Sequence, residues 1–327
     1  MARVFIDGFE AGDLKLWTAY AFAGGGGLSA PVQGMDGNYC CLVRFNSDYL
    51  KKVVAPASEY YCAFRYRPIN VVYDSNKTIL FMSGGTTLGS LHRSGGPMVA
   101  YRGNASVELA RSTTSLNIDT THLIEIRYKP HATAGIFQVK IDGVLEIDYY
   151  GNTTAGGETF DTFNFWTTSG YNVLGYIDNF IVDNSKWPGN TSIQAIKPVG
   201  AGNFTLWTPS AGDNYACVDE VPASESDFIA TNTLNHLDLY AAGDLVGTIG
   251  SVKCVQLQAL AIAEGSPTPE HLQLAVRSNG ADYFGDSKAV PSVVTGMSSL
   301  WEANPATAAP WLEAEVNAME IGVKAVA

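Results

Sequence analysis

Acid–base chemistry on a strand-built chain calls for two carboxylates on one strand face, and the run Val144–Gly151 carries Glu146 and Asp148 two residues apart. The next residue on that face is Tyr150, so the longer Glu-x-Asp-x-x-Glu order of glycan-cleaving sandwiches is not completed. The segment reads instead as the outward face of a hairpin. Nucleophilic catalysis calls for a Ser or Cys with a nearby His and an orienting carboxylate, and no Gly-x-Ser-x-Gly elbow is present. The five histidines are isolated in sequence; His122 and His271 stand at strand starts and His236 in a polar loop, where each reads as a surface or capping residue. Zinc has little to hold it, because Cys40 and Cys41 are adjacent and strand neighbours point to opposite faces. No enzyme is expected.

Two other groupings can bind rather than react. Asp7 and Glu10, from an acidic first strand, and Asp178, from an acidic closing strand, are hard oxygen donors of the kind a structural Ca²⁺ takes; the plainer reading makes them cap and turn residues. Flat rings interleaved with amides suit stacking on sugars, and among 16 Tyr and 6 Trp the candidates are Trp166, Tyr149, Tyr150 and Tyr171. The competing reading assigns those rings to cores, where aromatics dominate anyway.

The elements that must position these residues are strands. In Tyr60–Arg67, Tyr60, Cys62, Phe64 and Tyr66 alternate with Tyr61, Ala63, Arg65 and Arg67, the period of a half-buried strand. His122–Lys129 repeats it, with Ile124, Ile126 and Tyr128 on one face. Asp142-Gly143 tolerates positive φ at both positions and predicts a tight hairpin that buries Phe137, Val139 and Ile141 with Leu145, Ile147 and Tyr149. Further strands are expected near 39–45, 78–82, 98–101, 107–111, 163–167 and 175–182. Many short strands over some 180 residues predict a two-sheet, lectin-like jelly-roll sandwich. The text changes around Trp187-Pro188-Gly189-Asn190, which sets expected domains at 1–190 and 191–327. The second is also β-rich, with one short helix: Pro310 at its first position, Leu312, Val316 and Met319 on its buried face, Gly322 as its stop, and a closing strand over 323–326.

Composition narrows the partners. Over 327 residues, 32 acidic against 20 basic side chains give a net charge of −12, with no basic stripe to meet a phosphate backbone, so nucleic acid is not an expected ligand. Lys51-Lys52 and Arg65/Arg67 read as solvated strand faces. No run reaches the ~20 apolar residues of a membrane-spanning helix. Five cysteines, an odd number without a Cys-x-x-Cys pair, read as reduced thiols, and the opening residues lack the look of a secretory signal.

The opening Phe5-Ile6-Asp7-Gly8-Phe9-Glu10-Ala11-Gly12-Asp13-Leu14 through Trp17, the Val139–Gly143 hairpin and the closing Gly175–Val182 run resemble concanavalin A-like or laminin-G-like jelly rolls of tailed-bacteriophage virion proteins. Trp187-Pro188-Gly189, Trp207-Thr208-Pro209-Ser210, Trp301–Pro305 and Trp311–Asn317 look like the second domain of that family. The resemblance implies a non-enzymatic structural part of a phage particle, decorating the capsid or sitting on the tail. Such a part is assembled in the host bacterial cytoplasm and makes contacts with other virion proteins and with further copies of itself. The alternative it leaves open is an adsorption protein that binds a host surface glycan. No catalytic residue comes with it.

Overall fold

The computed structural model describes residues 3–23, 25–33, 35–44, 48–69, 76–166, 175–264 and 270–327. The chain divides into two compact units, 1–193 and 194–327, and both are built of antiparallel sheets.

The first unit runs β1 (Arg3–Asp7), β2 (Ala19–Ala21), β3 (Gly27–Ser29), β4 (Cys40–Val43), β5 (Tyr49–Ala57), β6 (Tyr60–Arg67), β7 (Asn76–Ser83), β8 (Thr86–Arg93), β9 (Pro97–Arg102) and β10 (Val107–Ser115). It continues with β11 (His122–Lys129), β12 (Gly135–Ile141), β13 (Val144–Gly151), β14 (Phe160–Trp166) and β15 (Gly175–Asp183). One sheet has the order β13-β12-β11-β6-β15-β4-β3, with β1 also on β15; the other has the order β10-β9-β8-β7-β14-β5-β2. Strands distant in sequence lie side by side, as in a jelly roll.

Alternation decides which side chains fill the space between the sheets. Tyr60, Cys62, Phe64, Tyr66, Ile124, Ile126, Tyr128, Phe137 and Val139 from the first sheet meet Leu50, Ile79, Phe81, Leu91, Met98, Phe163 and Phe165 from the second in one buried cluster. Rings interlock across it: Phe81 stacks on Tyr128 at 4.6 Å between centroids, and Phe64 meets Phe165 edge-on at 5.0 Å. Each such ring contributes about 1.5–3 kcal/mol by leaving water. Gly89 lies beneath Tyr128, where a Cβ would stand 2.5 Å from the phenol oxygen. That oxygen donates to the Thr153 carbonyl at 3.0 Å.

The β12–β13 hairpin forms at Asp142 (φ 51°) and Gly143 (φ 85°), both left-handed as the turn requires. Its register departs from strict alternation. Phe137 faces Tyr149 and Val139 faces Ile147, but Lys140 then faces Leu145, so Glu146 is the extra residue of a β-bulge. Leu145 therefore lies on the outer side, 45% exposed, rather than in the core with Ile141.

The second unit contains β16 (Pro198–Thr205), β17 (Thr208–Pro209), β18 (Ile229–Ala230), β19 (Leu237–Ala242), β20 (Val255–Ala261), β21 (His271–Ser278), β22 (Ala281–Phe284), β23 (Lys288–Ala289), β24 (Thr295–Trp301), α1 (Glu313–Asn317) and β25 (Glu320–Val326). The main sheet has the order β16-β19-β25-β21-β22, with β23 on β21; β17–β18 and β20–β24 are separate ribbons. Val255 and Leu257 of the β20–β24 ribbon and Trp311, Val316 and Met319 around α1 pack on Leu274, Val276 and Ile321.

The helix corrects the sequence expectation in three places. It starts after Leu312, not at Pro310, and Glu315 turns back to accept the Leu312 backbone N–H at 2.9 Å. Leu312 is 63% exposed, and Trp311 takes the buried place instead, donating from Nε1 to the Trp301 carbonyl at 3.0 Å. Gly322 does not stop the helix: it lies inside β25, where a Cβ would fall 1.8 Å from the Asp238 carbonyl oxygen on the neighbouring strand.

Candidate functional site

The opening motif works as a lock. Asp7, buried at the end of β1, accepts from the Phe9 backbone N–H at 2.8 Å and from Trp17 Nε1 at 2.6 Å. Trp17 stacks against Phe9 and Phe180 at 5.9 and 5.4 Å. Burial pushes the Asp7 carboxyl up to about 6, against those two bonds. Glu10 accepts from the backbone N–H groups of Asn38 (2.7 Å) and Tyr39 (3.1 Å). Asp178 accepts from those of Asp36 (2.9 Å) and Asn179 (2.6 Å). Burial, reinforced by the Asp36 and Glu10 charges, raises Asp178 to about 7. Thus the three carboxylates named for Ca²⁺ each serve backbone donors of this chain. Among the described residues no group of three or more His, Cys, Asp or Glu side chains is placed to hold a metal ion.

The carboxylate pair of the hairpin is separated by the bulge. Glu146 Oε2 accepts from the backbone N–H and hydroxyl of Thr113 (2.9 and 2.7 Å) and the Thr114 N–H (3.1 Å), while Oε1 accepts from the Thr114 hydroxyl (2.6 Å). The Thr114 and Thr113 hydroxyls hold its carboxyl down to about 2. Glu146 thereby joins β13, an edge of one sheet, to β10, an edge of the other. Asp148 accepts from Gln138 Nε2 at 2.6 Å.

His122 is more internal than its sequence surroundings suggested. His122 is buried, with Nδ1 2.7 Å from Asp142 Oδ2. His92, 2% exposed, lies against Tyr101 at 4.7 Å between rings. Lys52 is not on a solvated face: its ammonium donates to the Leu16 carbonyl at 2.6 Å and sits 4.0 Å from the Phe5 ring centre.

The three ring residues that are described do not lie together. Tyr149 packs against the core, and Tyr150, one residue on, points the other way, 61% exposed, with its hydroxyl accepting from Gln138 Nε2 at 2.8 Å. Tyr171 lies outside the described residues. Trp166 stands apart from both, on the second sheet.

There the pleat assembles a site the sequence reading missed. On β14, Phe163 and Phe165 enter the core, so Thr162, Asn164 and Trp166 share the opposite face. β5 pairs with β14 so that Tyr49 faces Trp166 and Lys51 faces Asn164; β7 sets Met82 opposite Thr162. With Gly85 these residues line a depression of about 230 Å³. Two ring side chains stand in one row, an ammonium and an amide in the next. The Asn164 amide is poorly served: its NH₂ points to Met82 Sδ, a weak acceptor, at 3.8 Å, and its buried oxygen has no hydrogen-bond partner among the described residues. The sequence signals were the alternations Tyr49-x-Lys51 and Thr162-x-Asn164-x-Trp166, but nothing in them tells that two runs more than a hundred residues apart are neighbours.

No family model matches the sequence, and no curated protein matches it. Solved structures with a similar course of chain include an endo-β-1,4-glucuronan lyase from Trichoderma reesei (12% identity, TM-score 0.42, covering 56% of this chain and 96% of that one). Domain 4 of AbnA, a GH43 extracellular arabinanase from Geobacillus stearothermophilus in complex with arabinotriose, is similar at 11% identity and TM-score 0.39, covering 56% of this chain and 93% of that one. The carbohydrate-binding module CBM66 from Bacillus subtilis is similar at 10% identity and TM-score 0.31, covering 51% of this chain and 94% of that one. These are similarities of coarse architecture.

Proposed function

We propose that the chain is a non-enzymatic glycan-binding protein whose first unit holds a saccharide in the depression on β5, β14 and β7. The observation that carries this reading is the Asn164 amide, an under-satisfied buried acceptor in a depression walled by the rings of Tyr49 and Trp166. Leaving such an acceptor unpaired costs about 1–3 kcal/mol. Turning the amide away from Met82 brings its oxygen to an entering hydroxyl, while the ring side chains offer apolar surface to the C–H face of a sugar. The candidate acids of the hairpin support binding over cleavage: Glu146 and Asp148 are engaged with Thr113, Thr114 and Gln138.

A place on a phage particle, with virion partners and self-association, rests on the sequence resemblance; the two readings meet in a protein that holds a host surface polysaccharide. The test is a glycan array followed by calorimetry on the full chain. Trp166→Ala and Tyr49→Ala should each weaken the selected saccharide by about tenfold or more with an unchanged circular dichroism spectrum. Wild-type affinity in both variants refutes the site.

A further inference from the structure

Resting on the glycan reading, we infer that the depression selects a carboxylated sugar, a uronate, and that Lys51 is the residue that reads the carboxylate. Of the seven described residues lining it, Lys51 is the one that carries a charge, and none is acidic. Its ammonium makes no salt bridge with any described residue, although the chain holds 32 acidic against 20 basic side chains. Several other cations of this unit are engaged: Arg65 with Asp36, Arg111 with Glu108, Arg127 with Glu59, and Lys52 with the Leu16 carbonyl. A lysine with no salt bridge to a described residue, in a depression with no acid among its described lining residues, is the group with charge to offer an anion.

The spacing suits that role. Tyr49 and Lys51 are alternate residues of β5, so their Cα atoms lie about 6.6 Å apart along the strand. A pyranose set against the Tyr49–Trp166 row therefore directs an exocyclic carboxylate along β5 toward the Lys51–Asn164 row. There the ammonium meets the charge, and Asn164 meets a ring hydroxyl. With one ammonium and no second cation among the described lining residues, the depression answers a single negative charge, as a carboxylate carries. The net negative field of the whole chain opposes long-range attraction of a polyanion, so discrimination arises at contact and is expressed in the dissociation rate.

The experiment is calorimetry and surface plasmon resonance of the full chain with oligo-galacturonates, oligo-glucuronates and oligo-mannuronates, each beside its methyl ester, which keeps the ring and removes the charge. The expected result is binding of at least one free acid about tenfold tighter than its ester. Lys51→Met should level the two while retaining the ester affinity, and Lys51→Arg should restore the preference. Equal affinity for acid and ester, or a preference for sulfated or neutral saccharides on the array, overturns the uronate inference and leaves the glycan reading standing. No binding to any saccharide overturns both.

Discussion

Glu146→Gln separates a residue that joins two sheets from one that performs chemistry. In the folded chain the carboxylate takes four donors from Thr113 and Thr114, and its pKa falls to about 2 from an ordinary 4.5. A shift of that size corresponds to at most about 3 kcal/mol, and solvent at the partly open site reduces it to about 1–2 kcal/mol. The amide keeps one acceptor for the Oε2 donors, and the Thr114 hydroxyl can turn to accept from the new NH₂, so the charge is what is lost. For a unit of this size the midpoint of thermal unfolding should drop by roughly 3–6 °C at pH 7. The sign with pH follows from the depressed value: the contribution is complete above about 4.5 and disappears as pH falls through about 2, where wild type and variant should converge. Scanning calorimetry at pH 7, 4 and 2.5, with Asp148→Asn as a control expected to shift by less than about 0.5 kcal/mol, reads this directly. Equal stability of wild type and Glu146→Gln at pH 7, or a difference that persists unchanged at pH 2.5, refutes the argument.

Four more outcomes follow from packing. Trp17→Phe removes the donor to Asp7 Oδ2 inside the core and should cost about 2–4 kcal/mol in urea unfolding; a loss under 1 kcal/mol means that the bond carries no weight. Gly322→Ala drives a methyl group into the Asp238 carbonyl and should leave the second unit unfolded by proteolysis and circular dichroism. Gly280→Ala, where a Cβ meets nothing but φ is +79°, should cost only about 1–2 kcal/mol; comparable losses at the two positions contradict the contrast. Cys40, Cys41, Cys62 and Cys217 are buried, and burial raises the first three thiols, so a thiol reagent on the native chain should modify Cys254 first and the others only on unfolding.

Alternation in Tyr60–Arg67 and His122–Lys129 and the Asp142-Gly143 turn were legible because each is decided within a few residues. Leu145 was misplaced because the bulge at Glu146 is set by Thr113 and Thr114, some thirty residues away. Gly322 was misread because its smallness answers a neighbouring strand's carbonyl, not a helix end. The Tyr49–Lys51–Asn164–Trp166 grouping exists only once β14 lies between β5 and β7. Asp7, Glu10 and Asp178 were visible as acids, but the use of Glu10 and Asp178 by backbone N–H groups emerges only from the folded loop at 36–39.

The segment following β15 lies on the outer face of the first sheet. Trp187 meets the Tyr61 ring at 5.5 Å and carries the Lys140 ammonium 4.1 Å over its own; Gly189 N–H reaches buried Glu125 at 2.9 Å, and Asn190 accepts from Arg65. Ile193 N–H closes the run on Asn179 Oδ1 at 2.9 Å, and its side chain sits where a Cβ on Gly8 would be. The first half is therefore not finished where its last strand ends. A gene truncated after Asp183 would strip Glu125 of its donor, open Tyr61 to water and leave Gly8 facing a hole, and the product should aggregate. One ended after Ile193 keeps every one of those partners, so ten codons separate a soluble fragment from an insoluble one.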